Sequence, residues 1–280
     1  MSAESQPARP PAPLRDAATV VLLRDGAAGP ELYLVKRSRT VDFMAGAHVF
    51  PGGRLDKSDA SPSACALLAA GVAGLQERLG EALPPIHAAG LFIAAIRETF
   101  EEAGLLLGSL GPGWAMDEAR KAVASGAQFI TLIAQLDAAA LVPWVRWVTP
   151  EVSPKRFDAR FFLARAPAGQ EPKVDGHEAT EGLWITPRGA LKRWEEGDMQ
   201  LAPATAKSMD MLTAYSSVDA ALQGAARRPP PMAMPIVWSE DGRAFISLPG
   251  DPRHPLPDVL GGRIRRIQLE AGRYRTVMAA

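Results

Sequence analysis

The stretch Arg97-Glu98-Thr99-Phe100-Glu101-Glu102-Ala103-Gly104-Leu105 restricts this chain more than any other segment. At 3.6 residues per turn, Glu98, Glu101 and Glu102 stand at i, i+3 and i+4 and converge on one helix face. Ile93, Ile96, Phe100, Ala103 and Leu107 recur at the same spacing on the opposite face, which can therefore be buried. Gly104 stops the helix. Like charges at i,i+4 destabilise an isolated helix by roughly 0.2–0.5 kcal/mol per pair, so the cluster makes poor sense as a stabilising device. With Mg²⁺ or Mn²⁺, hard cations that prefer carboxylate oxygens, it becomes a site. Taken alone, the segment leaves a solvated acidic face open as the alternative.

Upstream, Val20–Leu23 and Glu31–Val35 read as two strands around the turn residues Asp25 to Pro30. His48-Val49-Phe50 reads as a third short strand, broken by Pro51-Gly52-Gly53. Two adjacent glycines let the backbone approach a ligand that a side chain would block.

Together these segments resemble the Nudix hydrolases, whose motif is G-x5-E-x7-R-E-U-x-E-E-x-G-U with U aliphatic. Gly53 matches the first glycine, Asp59 takes the place of the first glutamate, and Arg97-Glu98 through Gly104-Leu105 match the rest. Two departures stand out. Thirty-seven residues separate Asp59 from Arg97 in place of seven, an insertion of thirty, and Thr99 occupies the first aliphatic position. Arg37-Ser38, Gly46 and Phe50-Pro51-Gly52-Gly53 follow a pattern found in Nudix enzymes that cleave coenzyme A, although its second arginine is Asp42 here. With the long insert, this resembles the coenzyme A diphosphatase branch.

The resemblance implies an α/β fold: a Nudix-type α/β/α sandwich with a mixed sheet, a helical insertion over about 60–90 and a C-terminal extension. It implies water attack on a phosphorus of a nucleoside diphosphate derivative, with coenzyme A or acyl-coenzyme A giving 3′,5′-ADP and (acyl-)4′-phosphopantetheine. An ADP-ribose- or NADH-type pyrophosphatase and a non-catalytic Nudix ligand sensor are the alternatives. Glu98, Glu101 and Glu102 are the expected metal ligands for Mg²⁺ or Mn²⁺, joined by a carbonyl of Gly53. Arg97, one turn before Glu101, is placed to orient that carboxylate. The expected catalytic set is Glu101, Glu102, Arg97 and Glu181. Glu181 or its neighbour Glu178 would activate water or hold a further metal, a solvated acidic turn being the other reading. Arg37, Arg39 and Arg54, with Gly52 and Gly53, are the expected substrate-binding residues. Asp59 is either a ligand or a loop aspartate, and His48 and His177 are expected to be structural or peripheral.

Thirty-one basic and thirty-one acidic residues leave no net field, which argues against bulk attraction to nucleic acid or membrane. One cysteine, Cys65, excludes an intrachain disulfide and fits a reducing compartment; its Ala/Leu-rich setting makes it core. No run approaches the ~18 apolar residues of a bilayer span, and no terminal Ser-Lys-Leu is present, so a cytoplasmic location is expected. The expected partner is a small-molecule nucleotide substrate, with a homodimer allowed.

The expected organisation is a disordered leader over 1–16, a Nudix domain over 17–190 and an extension over 191–280 packed on the core. One helix is expected within 60–80, the catalytic helix over Pro85–Gly104, and a helical excursion over Met116–Ser125 and Phe129–Leu136. Strands follow at Leu141–Thr149, Arg160–Arg165 and Leu183–Ile185. Thr186 should cap a helix ending at Trp194, before a single helix from Pro203 to Leu222 and a hairpin at Ile236–Leu248.

Overall fold

A computed structural model describes residues 10–38, 44–174, 176, 179–270 and 272–277. Strand β1 (Leu14–Gly26) runs parallel to β8 (Arg156–Arg165) along its length and turns antiparallel into β2 (Gly29–Arg37) at its far end. Beyond that turn β1 and β2 splay apart. Two short strands, β3 (His48–Val49) and β4 (Gly52–Arg54), fill the gap, β3 pairing with β2 and β4 with β1. The chain then forms α1 (Pro62–Cys65), α2 (Leu75–Leu79) and the long α3 (Pro85–Ala103). A two-stranded ribbon of β5 (Gly108–Leu110) and β6 (Ile133–Leu136) brackets α4 (Met116–Ala124) and a 3-10 turn at Phe129–Leu132. Next, β7 (Val142–Val148) pairs with β8, and β9 (Ala179–Ile185) closes on β2. After α5 (Pro187–Glu196), α6 (Pro203–Leu212) and α7 (Val218–Ala226), β10 (Met232–Ala233) joins the main sheet beside β7. Strands β11 (Ile236–Glu240), β12 (Arg243–Ser247), β13 (Arg266–Glu270) and β14 (Arg273–Val277) form a second, antiparallel sheet.

The main sheet is mixed and buried on both faces, which explains the imperfect period-two pattern of its strands. In β1, Val20 and Leu22 face the side that holds Phe92, Ile93 and Ile96 of α3. Val21 and Leu23 face the side that holds Trp194 of α5, Met209 of α6 and Ile267 of the second sheet. The result is the α/β/α sandwich. Phe92 and Phe162, with ring centroids 4.9 Å apart and both fully buried, pin α3 to the sheet. Aromatic truncation at such a contact costs about 3–5 kcal/mol.

Several expectations need correcting. Residues 14–16 belong to β1, in register with Arg156–Asp158, so the expected leader ends too late. The insertion holds two short helices in place of one. Gly71 and Gly74, both at φ near +70°, break the Ala/Leu run, and Gly80 caps α2 in the same left-handed region. Phe129–Leu136 is a 3-10 turn followed by a strand, not a helical excursion. The helix expected over Pro203–Leu222 is split at Thr213–Ser217. There the Thr213 hydroxyl bonds back to Asp210 O, and Ser217 caps α7 by accepting from Ala220 N. The hairpin near Ile236 is half of a four-stranded sheet, of which Ile267 joins the cluster around Trp194 together with Leu248 and Ile264 from the neighbouring loop. Cys65 is buried and free. Among the described residues, no helix is long and apolar enough to cross a membrane.

The insertion is tied down by charge as well as by packing. Glu81 makes a two-point ion pair with Arg160 of β8 and a further pair with Arg146 of β7 at 2.9 Å. Arg78 donates to the carbonyls of Ala138 and Leu141 and lies over the ring of Phe92. Both contacts brace the base of α3.

Candidate active site

Helix α3 begins at Pro85, whose ring presets a helical φ and whose missing N–H is not needed in the first turn. It ends where Gly104 takes φ 68°, with its N–H on Phe100 O. From Ala88 to Ile96 the helix is buried all round, so its polar chemistry is confined to the last two turns. Thr99, at a position where an aliphatic residue was expected, is fully buried and satisfies its hydroxyl on Ala95 O at 2.8 Å. A threonine is therefore tolerated there without an orphaned polar atom.

Arg97 organises the cluster. Nε and Nη2 donate to the two oxygens of Asp59, both at 2.9 Å, in a bidentate pair. Nη2 also reaches Arg54 O at 3.0 Å, and Nη1 divides between Glu98 at 2.8 Å and Glu101 at 3.1 Å. Burial opposes the charge on Arg97, but the Asp59 hydrogen bonds and the Glu98, Asp59 and Glu101 charges outweigh it and raise its pKa. Asp59, fully buried, is thus the residue that holds Arg97, and it also caps the turn by accepting from Asp56 N at 2.9 Å. The insertion leaves from this point without disturbing the pair.

The carboxylates outnumber the cation. Burial pushes the Glu98 carboxyl up to about 7 despite the pull of Arg97, and it raises Glu101 as well. The backbone of β4 lies against both ends of the cluster. Gly52 N–H donates to Glu102 Oε2 at 3.0 Å, and a Cβ on Gly53 would overlap the Glu98 carboxylate. Only glycine allows that approach.

Among the described residues, no three carboxylates already form a coordination shell, since Arg97 bridges Glu98 and Glu101 and Gly52 occupies one oxygen of Glu102. The donor set nevertheless suits a hard divalent cation: anionic oxygens, a desolvated carboxyl reluctant to ionise alone, and the adjacent glycine backbone of β4.

Other expected residues fall in different places. Arg54 sits on β4 and lines a cavity of about 300 Å³ with Arg15, Asp16, Leu55 and Asp56, next to the Arg97 cluster. Arg15, Asp16 and Asp56 had not been singled out in the sequence, because only the β1·β4 pairing brings them together. Arg37 ends β2, where its N–H bonds to Ala47 O at 2.9 Å. Arg39, His177 and Glu178 lie outside the described residues. Glu181 is not brought to the cluster. It stands opposite Lys36, on the face of β2 that carries Leu32 and Leu34, and pairs with Lys36 Nζ at 2.9 Å. That face points to α5, away from α3. The hydrogen bond from Lys36 lowers the Glu181 pKa. His48, opposite Lys36 on the same face, is equally remote, and burial lowers its pKa.

An arginine-anchored row of helical carboxylates thus lies against the Gly52-Gly53 strand at the splay of a mixed sheet, a donor set suited to a hard divalent cation. The chain belongs to the Nudix hydrolase family: the model of the NUDT19 Nudix domain matches residues 14–212, and the family generally requires divalent metal ions. The chain is 31% identical to the acyl-coenzyme A diphosphatase NUDT19 of Gallus gallus, over 82% of its own length and 75% of that protein. Against the Homo sapiens protein of the same name it is 30% identical, with 80% and 72% covered. A crystal structure of a Nudix hydrolase from Alicyclobacillus acidocaldarius matches with a TM-score of 0.60 at 30% identity, covering 75% of this chain and 96% of that one.

Proposed function

We propose that this Nudix hydrolase uses Mg²⁺ or Mn²⁺ to split the pyrophosphate of coenzyme A or an acyl-coenzyme A into 3′,5′-ADP and (acyl-)4′-phosphopantetheine. The observation that carries the reaction is the Arg97 cluster, in which one guanidinium faces more carboxylates than it can neutralise. The substrate reading rests on Arg37-Ser38 and Phe50–Gly53 and on relatives named acyl-coenzyme A diphosphatase.

Glu98 and Glu102, with the carbonyl of Gly53, are the groups we assign to hold the cation, which when bound neutralises the phosphates and polarises the attacked phosphorus. Arg97 fixes the plane of the Glu101 carboxylate through Oε2. Glu101, raised by burial and still partly open to solvent, is the residue we assign to accept the proton of the attacking water. The new P–O bond forms from that water, the anhydride P–O bond breaks, and the electron pair leaves on the departing phosphate oxygen. Arg54, beside the cavity it lines, is suited to the substrate's phosphates. We place the protein in the cytoplasm on the strength of its single free, buried cysteine.

Mass detection of 3′,5′-ADP and the phosphopantetheine product in the presence of either metal tests the assignment. Turnover of ADP-ribose or NADH in preference to coenzyme A would discard the substrate and keep the reaction.

A further inference from the structure

The cavity beside the Arg97 cluster carries two guanidinium groups that the fold leaves unspent. Arg15, Asp16, Arg54, Leu55 and Asp56 line its volume of about 300 Å³. Ala17 of β1 lies opposite Arg54 of β4, and side chains alternate along a strand, so Arg15 is the diagonal neighbour of Arg54 on the same face. Diagonal neighbours stand about 7–8 Å apart, a spacing from which two long guanidinium side chains can bracket one phosphate. Ala17, directly opposite Arg54, is too short to fill the space. Arg15 and Arg54 are both exposed, and among the described residues neither guanidinium has a hydrogen-bond or ion-pair partner.

The carboxylates of the lining are already engaged. Asp16 pairs with Arg160 and, at 3.0 Å, with His87 Nε2. Asp56 Oδ2 lies 3.9 Å from Arg97 Nη2. An anion entering the cavity therefore meets two uncommitted positive charges against one loosely held carboxylate. The cavity also shares a wall with the carboxylate cluster. Arg54 O accepts from the same Arg97 Nη2 at 3.0 Å, and Gly53, one residue earlier, abuts Glu98.

Resting on the coenzyme A reading above, we propose that Arg15 and Arg54 form the subsite for the 3′-phosphate of coenzyme A. In that substrate the 3′-phosphate hangs from the sugar next to the pyrophosphate, only a few bonds from the reacting phosphorus. It is a monoester with terminal oxygens free for guanidinium forks. ADP-ribose, NADH and dephospho-coenzyme A have no such group, and each would leave both charges unmatched. Arg15 is then a specificity-determining residue that takes no part in the bond cleavage.

The test measures kcat/KM for coenzyme A and dephospho-coenzyme A on the wild type, Arg15→Ala and Arg15→Lys, with calorimetric affinities for 3′,5′-ADP and 5′-AMP alongside. Arg15 is exposed, so the fold should survive its replacement. The wild type should prefer coenzyme A by about ten- to a hundredfold, the range that hydrogen bonds to a charged group supply. Arg15→Ala should cut that preference by about tenfold, chiefly by lowering the coenzyme A value, and Arg15→Lys should keep part of it. The affinity for 3′,5′-ADP should fall in Arg15→Ala while that for 5′-AMP holds. Equal turnover of coenzyme A and its dephospho form by the wild type overturns the proposal alone, as does an Arg15→Ala variant that weakens both substrates equally. Absence of turnover on every coenzyme A species overturns the proposal together with the function it rests on.

Discussion

Lys207 on α6 and Arg97 on α3 are both buried cations among oxygen acceptors, and they are bonded in different proportions. Lys207 Nζ meets Asp210 at 3.1 Å, Ile264 O at 2.7 Å and Gly261 O. Asp210 in turn accepts from the N–H groups of Arg263 and Ile264 at 3.0 and 2.8 Å. One charge meets one charge, and backbone groups take up the remaining capacity. Around Arg97, by contrast, one cation faces Asp59, Glu98 and Glu101 within hydrogen-bonding distance, and Asp56 at 3.9 Å. The balanced site ties the C-terminal segment to the Nudix domain. The unbalanced site keeps an anionic excess that folding alone gives no reason to bury, and that excess is what a divalent cation can use.

The contrast can be broken at either end. Glu102→Gln removes a cation-binding oxygen at nearly constant shape, and turnover should fall by about 10²–10³-fold with the melting temperature little changed. A residual rate within tenfold would take Glu102 out of the proposed site. Lys207→Met should do the reverse. It leaves Asp210 buried without its counter-charge and is expected to cost about 3–5 kcal/mol in denaturant unfolding, with metal dependence of the folded fraction preserved. If the unfolding midpoint does not move, the balanced pair is not the clasp described. Replacing Glu98 by Gln should stabilise the metal-free protein, because it removes a carboxyl that burial penalises; a lower metal-free melting temperature would contradict this. Glu181→Gln, whose partner lies on the far face, should leave turnover within a factor of about three. A thousandfold loss there would restore it as the base.

How much of this was legible in the sequence depended on the range of the interactions. Helix α3, its stop at Gly104 and its buried face follow from spacing within a few residues, and all were readable. The hairpin of β11 and β12 was readable for the same reason. Asp59 was set at the place of the motif's first glutamate and its role was left open, because only folding across the insertion brings it to Arg97. Glu181 was assigned by its position before a closing strand. Its actual face is set by the register of β9 on β2, and a shift of one residue would have turned it over. The second sheet was half seen, since the pairing of β12 with β13 spans a long irregular loop with no local signature.

We propose that Glu98 is a ligand to the divalent cation. Burial pushes its carboxyl up to about 7 against the pull of Arg97, so folding favours the protonated form. Stability from this group is therefore full at low pH and lost as pH rises through about 7. A bound cation replaces the proton and reverses the loss. The decisive measurement is the melting temperature of wild type and Glu98→Gln between pH 5 and 8, with and without Mg²⁺ or Mn²⁺. The wild type should gain little from metal at pH 5 and several degrees at pH 8, about 2.7 kcal/mol at 100-fold excess over Kd, while Glu98→Gln gains much less. A metal-induced shift that is absent at pH 8, independent of pH, or unchanged in Glu98→Gln would contradict the account.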